Sequence, residues 1–251
     1  MQSNSVQSIK KVGDYSNNRL GKKHCKKISQ NHLGWLYQNG YGVEKNYSVA
    51  FDCYKKAADQ NDAKAQNNLG YMYEHGLGVA ENTTLAIEWY MKSANQGYAE
   101  AQYNLGYMYE NGDGVSEDLE VSLDWYKKAA IQQNADAQYR LGLIFDKGIG
   151  VIEDVILAAK WYEKAAYQGH EGAQYSLGTF YEDGRGVTKS KGLAKMWYQK
   201  SAAQGHKLAQ LKLNEGIITH KFNYSLKIND QFYNDYEDIC YITCQRSIVL
   251  T

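Results

Sequence analysis

The side chains of this sequence that most often carry catalysis or bind metals are few and scattered. The six histidines and four cysteines are His24, His32, His75, His170, His206, His220, Cys25, Cys53, Cys240 and Cys244. Their spacing matches neither a zinc site nor a disulfide framework. Catalysis requires a nucleophile, a base and an orienting group that converge, and the sequence offers no such constellation. We therefore expect no enzymatic activity, no metal, no cofactor, and inert cysteines in a reducing, intracellular setting.

Two histidines and a glycine motif have structural interpretations that compete with a chemical one. His170 and His206 occupy equivalent positions between two helices, where Asn134 and Tyr98 stand elsewhere, so a role in the turn fits them better than catalysis. The Gly-x-Gly-Val segments, such as residues 112–115, could suggest a nucleotide-binding loop. The Walker lysine and the strand–turn–helix context are both absent from the sequence, so nucleotide binding is not assigned.

Self-similarity with a period of 36 residues organises the chain between its two ends. A Leu-Gly pair recurs without insertion or deletion at Leu33-Gly34, Leu69-Gly70, Leu105-Gly106, Leu141-Gly142 and Leu177-Gly178. A Gly-x-Gly-Val segment follows each pair and begins at Gly40, Gly76, Gly112, Gly148 and Gly184. A sixth leucine, Leu213, occurs at the next step, but Asn214 replaces its glycine. A period of this length indicates stacked helical pairs.

Each repeat is predicted to form two helices. In the first, Ala65, Leu69 and Met72 follow helical spacing, and Gly76 can end the helix in the left-handed conformation. The second begins near a column of good N-cap residues, Asn46, Asn82, Asp118, Asp154 and Ser190. Second helices end at Gly97, Gly169 and Gly205. Because the chain has 23 glycines and no proline, glycine supplies these turns.

Two further columns are interpreted as residues that hold the fold. The glycine of each Leu-Gly pair lies inside a helix, where glycine costs about 1 kcal/mol relative to alanine. A penalty repeated at five equivalent positions implies a packing reason, so we expect a bulky ring of the paired helix to lie against that backbone. The second column is predicted to make structural hydrogen bonds and consists of Gln30, Gln66, Gln102, Gln138, Gln174 and Gln210.

The motif within each repeat resembles a known family. Residues 101–115, AQYNLGYMYENGDGV, look like the first half of a Sel-one-like repeat, and residues 158–170, AAKWYEKAAYQGH, match the second half. The resemblance implies an all-α, tetratricopeptide-like fold: a right-handed superhelix (solenoid) of five helix–turn–helix repeats, with first helices lining the concave side. Residues 207–216 are predicted to form a C-terminal capping helix. A secreted branch of the family staples each repeat with paired cysteines, which are missing here, so its disulfides and its link to β-lactams are not carried over.

The resemblance also implies a function. Family members scaffold membrane-protein degradation, activate chitin synthase or modulate signalling, so we expect a non-enzymatic scaffold or adaptor for a protein or peptide partner. An alternative is a regulatory subunit or fragment that controls an enzyme, in kinase signalling, chitin synthase activation or a degradation complex. An activity change on stoichiometric binding to one enzyme would favour this alternative.

Variable columns of the first helices are candidates for partner contact, because the invariant columns of a solenoid hold its fold. Spacings of four and three place three such columns on one helix face. The residues predicted to bind the partner are Trp35, Tyr71, Glu74, Tyr103, Tyr107, Glu110, Tyr139, Asp146, Tyr175 and Glu182. Together they form an aromatic strip bordered by acids, suited to a peptide with basic and apolar groups. The alternative is that the tyrosines extend inter-repeat packing, while the acids are solvated, cap helices or form local ion pairs.

The two ends of the chain do not share the repeat. We predict a basic, disordered tail at 1–27, the repeat region at 28–216, and an atypical tail at 217–251. The first tail carries seven Lys and Arg residues against one Asp, a net charge of +6, in a chain with 28 basic and 28 acidic residues. Its run at 22–27 could be a nuclear-import or anionic-lipid signal, but a solvated tail fits better. The balanced total argues against a nucleic-acid partner.

The sequence also bears on the compartment. The N-terminus has no apolar run of the length that a signal peptide needs. No stretch of about 18 apolar residues predicts a transmembrane helix. We therefore expect a cytoplasmic protein without an integral membrane segment.

Overall fold

A computed structural model describes residues 29–214 of the chain, and these residues form helices joined by short turns. The first ten helices are α1 (Gln30–Asn39), α2 (Tyr47–Ala58), α3 (Ala63–Glu74), α4 (Thr83–Asn95), α5 (Ala99–Asn111), α6 (Leu119–Ile131), α7 (Ala135–Lys147), α8 (Val155–Tyr167), α9 (Glu171–Asp183) and α10 (Lys191–Ala203). Residues 207–214 form α11. The tails predicted at 1–27 and 217–251, with the basic run at 22–27, lie outside the described residues.

The helices pair in chain order, so that α1 with α2, α3 with α4, and so on form five helix–turn–helix repeats. We number these repeats 1 to 5. Each repeat packs on the next, and the described chain is an all-α solenoid, as predicted. Helix α11 lies where the capping helix is expected, with Ala209 fully buried against Ala194 and Tyr198 of α10.

Most helix starts are fixed by side chains that accept hydrogen bonds from the first turn, and α5, with Tyr98 as its N-cap, lacks such a bond. The second-helix N-caps all do so; Asn82 Oδ1, for example, accepts from the Leu85 N–H at 3.0 Å. The N-cap column predicted from the sequence is confirmed. His170 Nδ1 likewise accepts from the Ala173 N–H, and His206 Nδ1 from the Ala209 N–H. The turn role predicted for these two histidines is therefore also confirmed.

Glycines at the turns let successive repeats approach closely. Four of the five first helices end on a left-handed glycine, as Gly112 does with φ +72°, whereas α3 ends earlier, with His75 as its C-cap. In repeats 2 to 5, the second glycine of the Gly-x-Gly-Val segment faces the preceding repeat. A Cβ atom on Gly78 would lie 2.5 Å from the carbonyl of Tyr47, the first residue of α2. This position therefore admits no side chain.

The glycine inside each first helix faces a buried tyrosine ring of the second helix in the same repeat. A Cβ atom on Gly106 would lie 2.7 Å from the ring of Tyr126, which is 0% exposed. The same contact pairs Gly34 with Tyr54, Gly70 with Tyr90, Gly142 with Tyr162 and Gly178 with Tyr198. The expected packing of a bulky ring against glycine is confirmed, and the five glycines set the distance between paired helices.

The recurring glutamines join neighbouring repeats. Gln66 Nε2 donates to the Ala58 carbonyl of α2, while Gln66 Oε1 accepts from Gln96 Nε2 after α4. Gln102, Gln138 and Gln174 repeat both bonds one step along, with Gln132, Gln168 and Gln204 as their donors. The predicted structural role is confirmed for these four buried glutamines, whose amides are satisfied. Gln210 makes only the first bond, to the Ala202 carbonyl, and the role predicted for Gln30 stays a prediction.

Candidate partner-binding surface

One column of the first helices, which we call the acidic column, is hydrogen-bonded to the core and consists of Gln38, Glu74, Glu110, Asp146 and Glu182. In every repeat the hydroxyl of the buried second-helix tyrosine donates to the residue sixteen positions earlier. Tyr90 donates to Glu74 and Tyr126 to Glu110, each at 2.6 Å. The other three bonds join Tyr54 to Gln38, Tyr162 to Asp146 and Tyr198 to Glu182. This shared bond explains why the acids recur as regularly as the core.

Burial and the neighbouring carboxylates keep these hydroxyls protonated. Burial is the largest cause that raises the pKa of Tyr90 and Tyr126, and the charge and hydrogen bond of the acid raise it further. In the opposite direction, the hydrogen bond from Tyr198 lowers the pKa of Glu182; burial opposes this shift, and Lys212 adds to it. Each tyrosine therefore remains a hydrogen-bond donor at neutral pH and holds its acid in place.

In repeats 3 to 5 the acid also meets a basic side chain from a later part of the chain. Arg140 lies 3.7 Å from Glu110, and Lys212 lies 3.0 Å from Glu182. Arg185 contacts Asp146 at 2.7 Å, and Asp146 is buried, with 7% exposure. Glu74 of repeat 2 differs, since no basic side chain between residues 29 and 214 lies within 4 Å of it.

Tyr103, Tyr139 and Tyr175, at equivalent positions of three first helices, pack against the core. Tyr103 and Tyr139 are half-buried, with ring centroids 5.7 Å from Tyr126 and 5.8 Å from Tyr162 respectively. Tyr175 makes the same contact with Tyr198. These three residues therefore match the alternative in which tyrosines extend packing, while keeping part of each ring at the surface.

Along the described first helices and the turns that follow them, the exposed aromatic rings lie in repeats 1 and 2, whereas Tyr167 is exposed at the end of a second helix. Trp35 is 43% exposed and Tyr71 is 40% exposed, whereas Leu143 and Thr179 fill the equivalent positions of repeats 4 and 5. Trp35 stacks with both His32 and Tyr41, whose ring centroids lie 6.0 Å and 5.0 Å from its own. His75 packs edge-on against Tyr71 at 4.2 Å.

Sequence reasoning missed the rings that pack against Trp35 and Tyr71, and it also missed the basic partners of the acids. His32, Tyr41 and His75 each occur in one repeat, so they belong to no recurring column. The separation of thirty residues between Glu110 and Arg140, repeated between Glu182 and Lys212, was a signal that could have found two of the ion pairs.

From residue 29 to residue 214, no group of three or more His, Cys, Asp or Glu side chains could hold a metal ion. Over the same residues, no helix has the length and apolar character needed to cross a bilayer. Burial raises the pKa of the Cys53 thiol, so it stays protonated and packs as a small apolar residue.

Comparison with known proteins assigns the family. A model of the Sel1 repeat matches residues 27–62, 63–98, 99–134, 135–170 and 172–206, well over half of the chain. The chain belongs to the Sel1 repeat family. The structure of a Sel1 repeat protein from Oxalobacter formigenes is 34% identical over 81% of this chain and 84% of that one, with a TM-score of 0.69.

Two further solved structures are similar to this Sel1 repeat protein. A protective antigen of uropathogenic Escherichia coli strains, displaying an SLR fold, is 39% identical over 76% of this chain and 41% of that chain, with a TM-score of 0.67. An immunity protein from Pseudomonas aeruginosa shares the fold at 23% identity, 72% and 67% coverage and a TM-score of 0.50. No curated protein sequence matches the chain significantly. Sel1 repeat proteins are generally non-enzymatic scaffolds for protein interaction.

Proposed function

We propose that this Sel1 repeat protein binds a peptide or an extended segment of a protein partner on the concave face formed by its first helices. The observation that carries the proposal is the exposure of Trp35 and Tyr71 at equivalent positions of consecutive first helices, with Glu74 three residues after Tyr71. Exposed aromatic side chains are the typical anchors of protein interfaces, because they bury a large area on binding at a small loss of side-chain entropy.

The ten residues predicted from the sequence have unequal parts in this proposal. Trp35, Tyr71 and Glu74 supply the main contacts. Tyr107, Tyr103, Tyr139 and Tyr175 offer the partly exposed edges of rings that also support the fold. The remaining acids, Glu110, Asp146 and Glu182, mainly hold core tyrosines and basic side chains. The regulatory alternative uses the same face and stays a prediction, as do the cytoplasmic location and the domain limits.

Peptide display on the full chain tests the proposal with ligands that the protein itself selects. Peptides selected from a random library are synthesised, and their affinities are measured for the native protein and for the double variant Trp35→Ala, Tyr71→Ala. We expect the double variant to bind at least ten-fold more weakly with an unchanged helical circular dichroism spectrum. The control, Ile131→Ala, removes a 77% exposed side chain at the end of a second helix and leaves affinity unchanged. Equal affinity for the native protein and the double variant would overturn the proposal.

A further inference from the structure

Repeat 3 already contains a basic side chain bound on its first-helix face. The guanidinium of Arg140, from α7 of repeat 4, lies 5.5 Å from the centre of the Tyr107 ring and 3.7 Å from Glu110. Although burial opposes it, the charge of Glu110 raises the pKa of Arg140, and a hydrogen bond with Tyr103 adds to this shift. An aromatic face and a carboxylate together are a recognised binding environment for a guanidinium. The fold therefore contains one filled example of such a site.

Repeat 2 contains the same pair of side chains without the basic residue. Tyr71 and Glu74 stand 36 positions before Tyr107 and Glu110, but Asn104 stands 36 positions before Arg140. The Asn104 amide donates to Asn67 Oδ1 at 3.0 Å, so it is directed away from Glu74. Among the residues that the structure describes, no cation approaches Glu74 within 4 Å.

The carboxylate of Glu74 is positioned in advance. The Tyr90 hydroxyl donates to Glu74 Oε2 at 2.6 Å, so the group is held at the rim of the fold with Oε1 available to a second donor. Tyr71 keeps 40% of its surface exposed, and the His75 ring packs against it at nearly a right angle. A pre-ordered acceptor loses little entropy when a ligand binds.

No other described repeat combines these features. Repeat 1 has Trp35 with the neutral Gln38. Repeat 4 has Leu143 in place of the ring, and Arg185 occupies its acid. Repeat 5 has Thr179 in place of the ring, and Lys212 binds its acid. Within residues 29–214, repeat 2 is thus the place where an aromatic ring and a carboxylate lack a basic side chain of the protein itself.

We infer that Tyr71 and Glu74 bind an arginine side chain of the partner, in the arrangement that Arg140 adopts against Tyr107 and Glu110. The inference rests on the proposed function and gives its partner a defined chemistry. Arginine is favoured over lysine because its planar guanidinium stacks on an aromatic ring while donating to a carboxylate. An apolar residue of the partner next to this arginine would reach Trp35 on the preceding repeat.

The inference is tested with a peptide probe and with the variant Asn104→Arg, which places a basic side chain of the protein itself in the site. The probe is the peptide acetyl-Phe-Arg-Phe-amide, compared with the same peptide carrying citrulline, which has arginine's shape without its charge. Binding is followed by the NMR signals of the Tyr71 ring, assigned with Tyr71→Phe. We expect the arginine peptide to bind at least ten-fold more tightly than the citrulline peptide, and Asn104→Arg to weaken its binding at least ten-fold.

Two matched variants make the test specific. Ser176→Arg adds the same charge at the equivalent position two repeats later, where Arg185 already pairs with Asp146. The affinity of this variant for the arginine peptide is expected to stay within two-fold of that of the native protein. Arg140→Asn recreates the repeat 2 arrangement in repeat 3 and is expected to add a second binding site for the arginine peptide.

Specific outcomes would overturn the inference. It fails if Ser176→Arg weakens binding as much as Asn104→Arg does, since the effect would then be one of net charge. It also fails if the citrulline peptide binds as tightly as the arginine peptide. Display-selected peptides that require Trp35 and Tyr71 but contain no basic residue would overturn the inference alone. Peptides indifferent to both rings would overturn the proposed function itself.

Discussion

Repeats 2 and 3 share the same interior and differ in how their first-helix faces are completed. In both, a glycine faces a tyrosine ring and the tyrosine hydroxyl binds a glutamate at 2.6 Å. In repeat 3 that glutamate also meets Arg140, whereas the equivalent residue for repeat 2 is Asn104. The comparison teaches that equivalent acids can make the same bond to a core tyrosine and still differ in whether a basic side chain of the described chain meets them.

The largest expected effect tests whether the two interiors are equivalent. Gly70→Leu and Gly106→Leu each force a side chain into a tyrosine ring that lies within 3 Å of where the Cβ atom would be. We expect each variant to lower the free energy of unfolding by about 2–3 kcal/mol, and by the same amount within about 0.5 kcal/mol. Urea denaturation followed by circular dichroism measures both values.

A control glycine separates this packing effect from helix propensity. Gly192 lies in α10, and a Cβ atom there would meet nothing within 4 Å. Gly192→Ala is therefore expected to raise the free energy of unfolding by about 0.5 kcal/mol. If Gly106→Leu left stability unchanged, the assignment of this glycine to ring packing would be wrong.

A smaller effect should distinguish the two glutamates. Glu110→Gln leaves the half-buried Arg140 without its carboxylate, and we expect a loss of about 1 kcal/mol that shrinks in high salt. Glu74→Gln removes no ion pair, and Tyr90 can donate to an amide oxygen as Tyr54 does to Gln38. Its expected loss is below about 0.5 kcal/mol. Thermal or urea unfolding in low and high salt checks both variants, and equal losses would contradict the difference between the repeats.

The smallest expected effect concerns pH. The hydrogen bond from Tyr198, and then Lys212, lower the pKa of Glu182 in the folded chain, so its carboxylate stabilises the fold above the pKa of the unfolded state. That stabilisation is lost as pH falls through the lower, folded-state pKa. The difference in unfolding free energy between the native protein and Glu182→Gln should therefore narrow between about pH 6 and about pH 3. A difference that stays constant across this range would show that the carboxylate charge contributes nothing.

Much of the architecture follows from spacing along the sequence. Helix starts at residues such as Asn82, and the packing of glycines such as Gly106, depend on local hydrogen bonds and on a repeated helical period. The residues responsible for both recur every 36 positions in the sequence. They could therefore be predicted without knowing how the two helices of a repeat cross.

The candidate site was harder to predict because its contacts cross between helices. The position of Glu110 on one helix face suits an open surface and a bond to Tyr126 equally well, and only the crossing of α5 and α6 decides between them. Arg140 belongs to a column that is basic in only some repeats, since the equivalent residues are Asn104, Ser176 and Lys212. Tyr71 and Glu74 were predicted from recurring columns, but the lack of a basic side chain beside them could be recognised only once the contacts of Arg140 were known.

The constant spacing of the repeats also has a genetic consequence. Each repeat contacts mainly its neighbours, so an array of this kind tolerates the gain or loss of a whole unit. Loss of the codons for residues 99–134 would bring Arg140 to thirty positions after Glu74, which is the separation that it now has from Glu110. A single recombination event between repeats could thus close the arginine site without any point substitution, and a duplication could restore it.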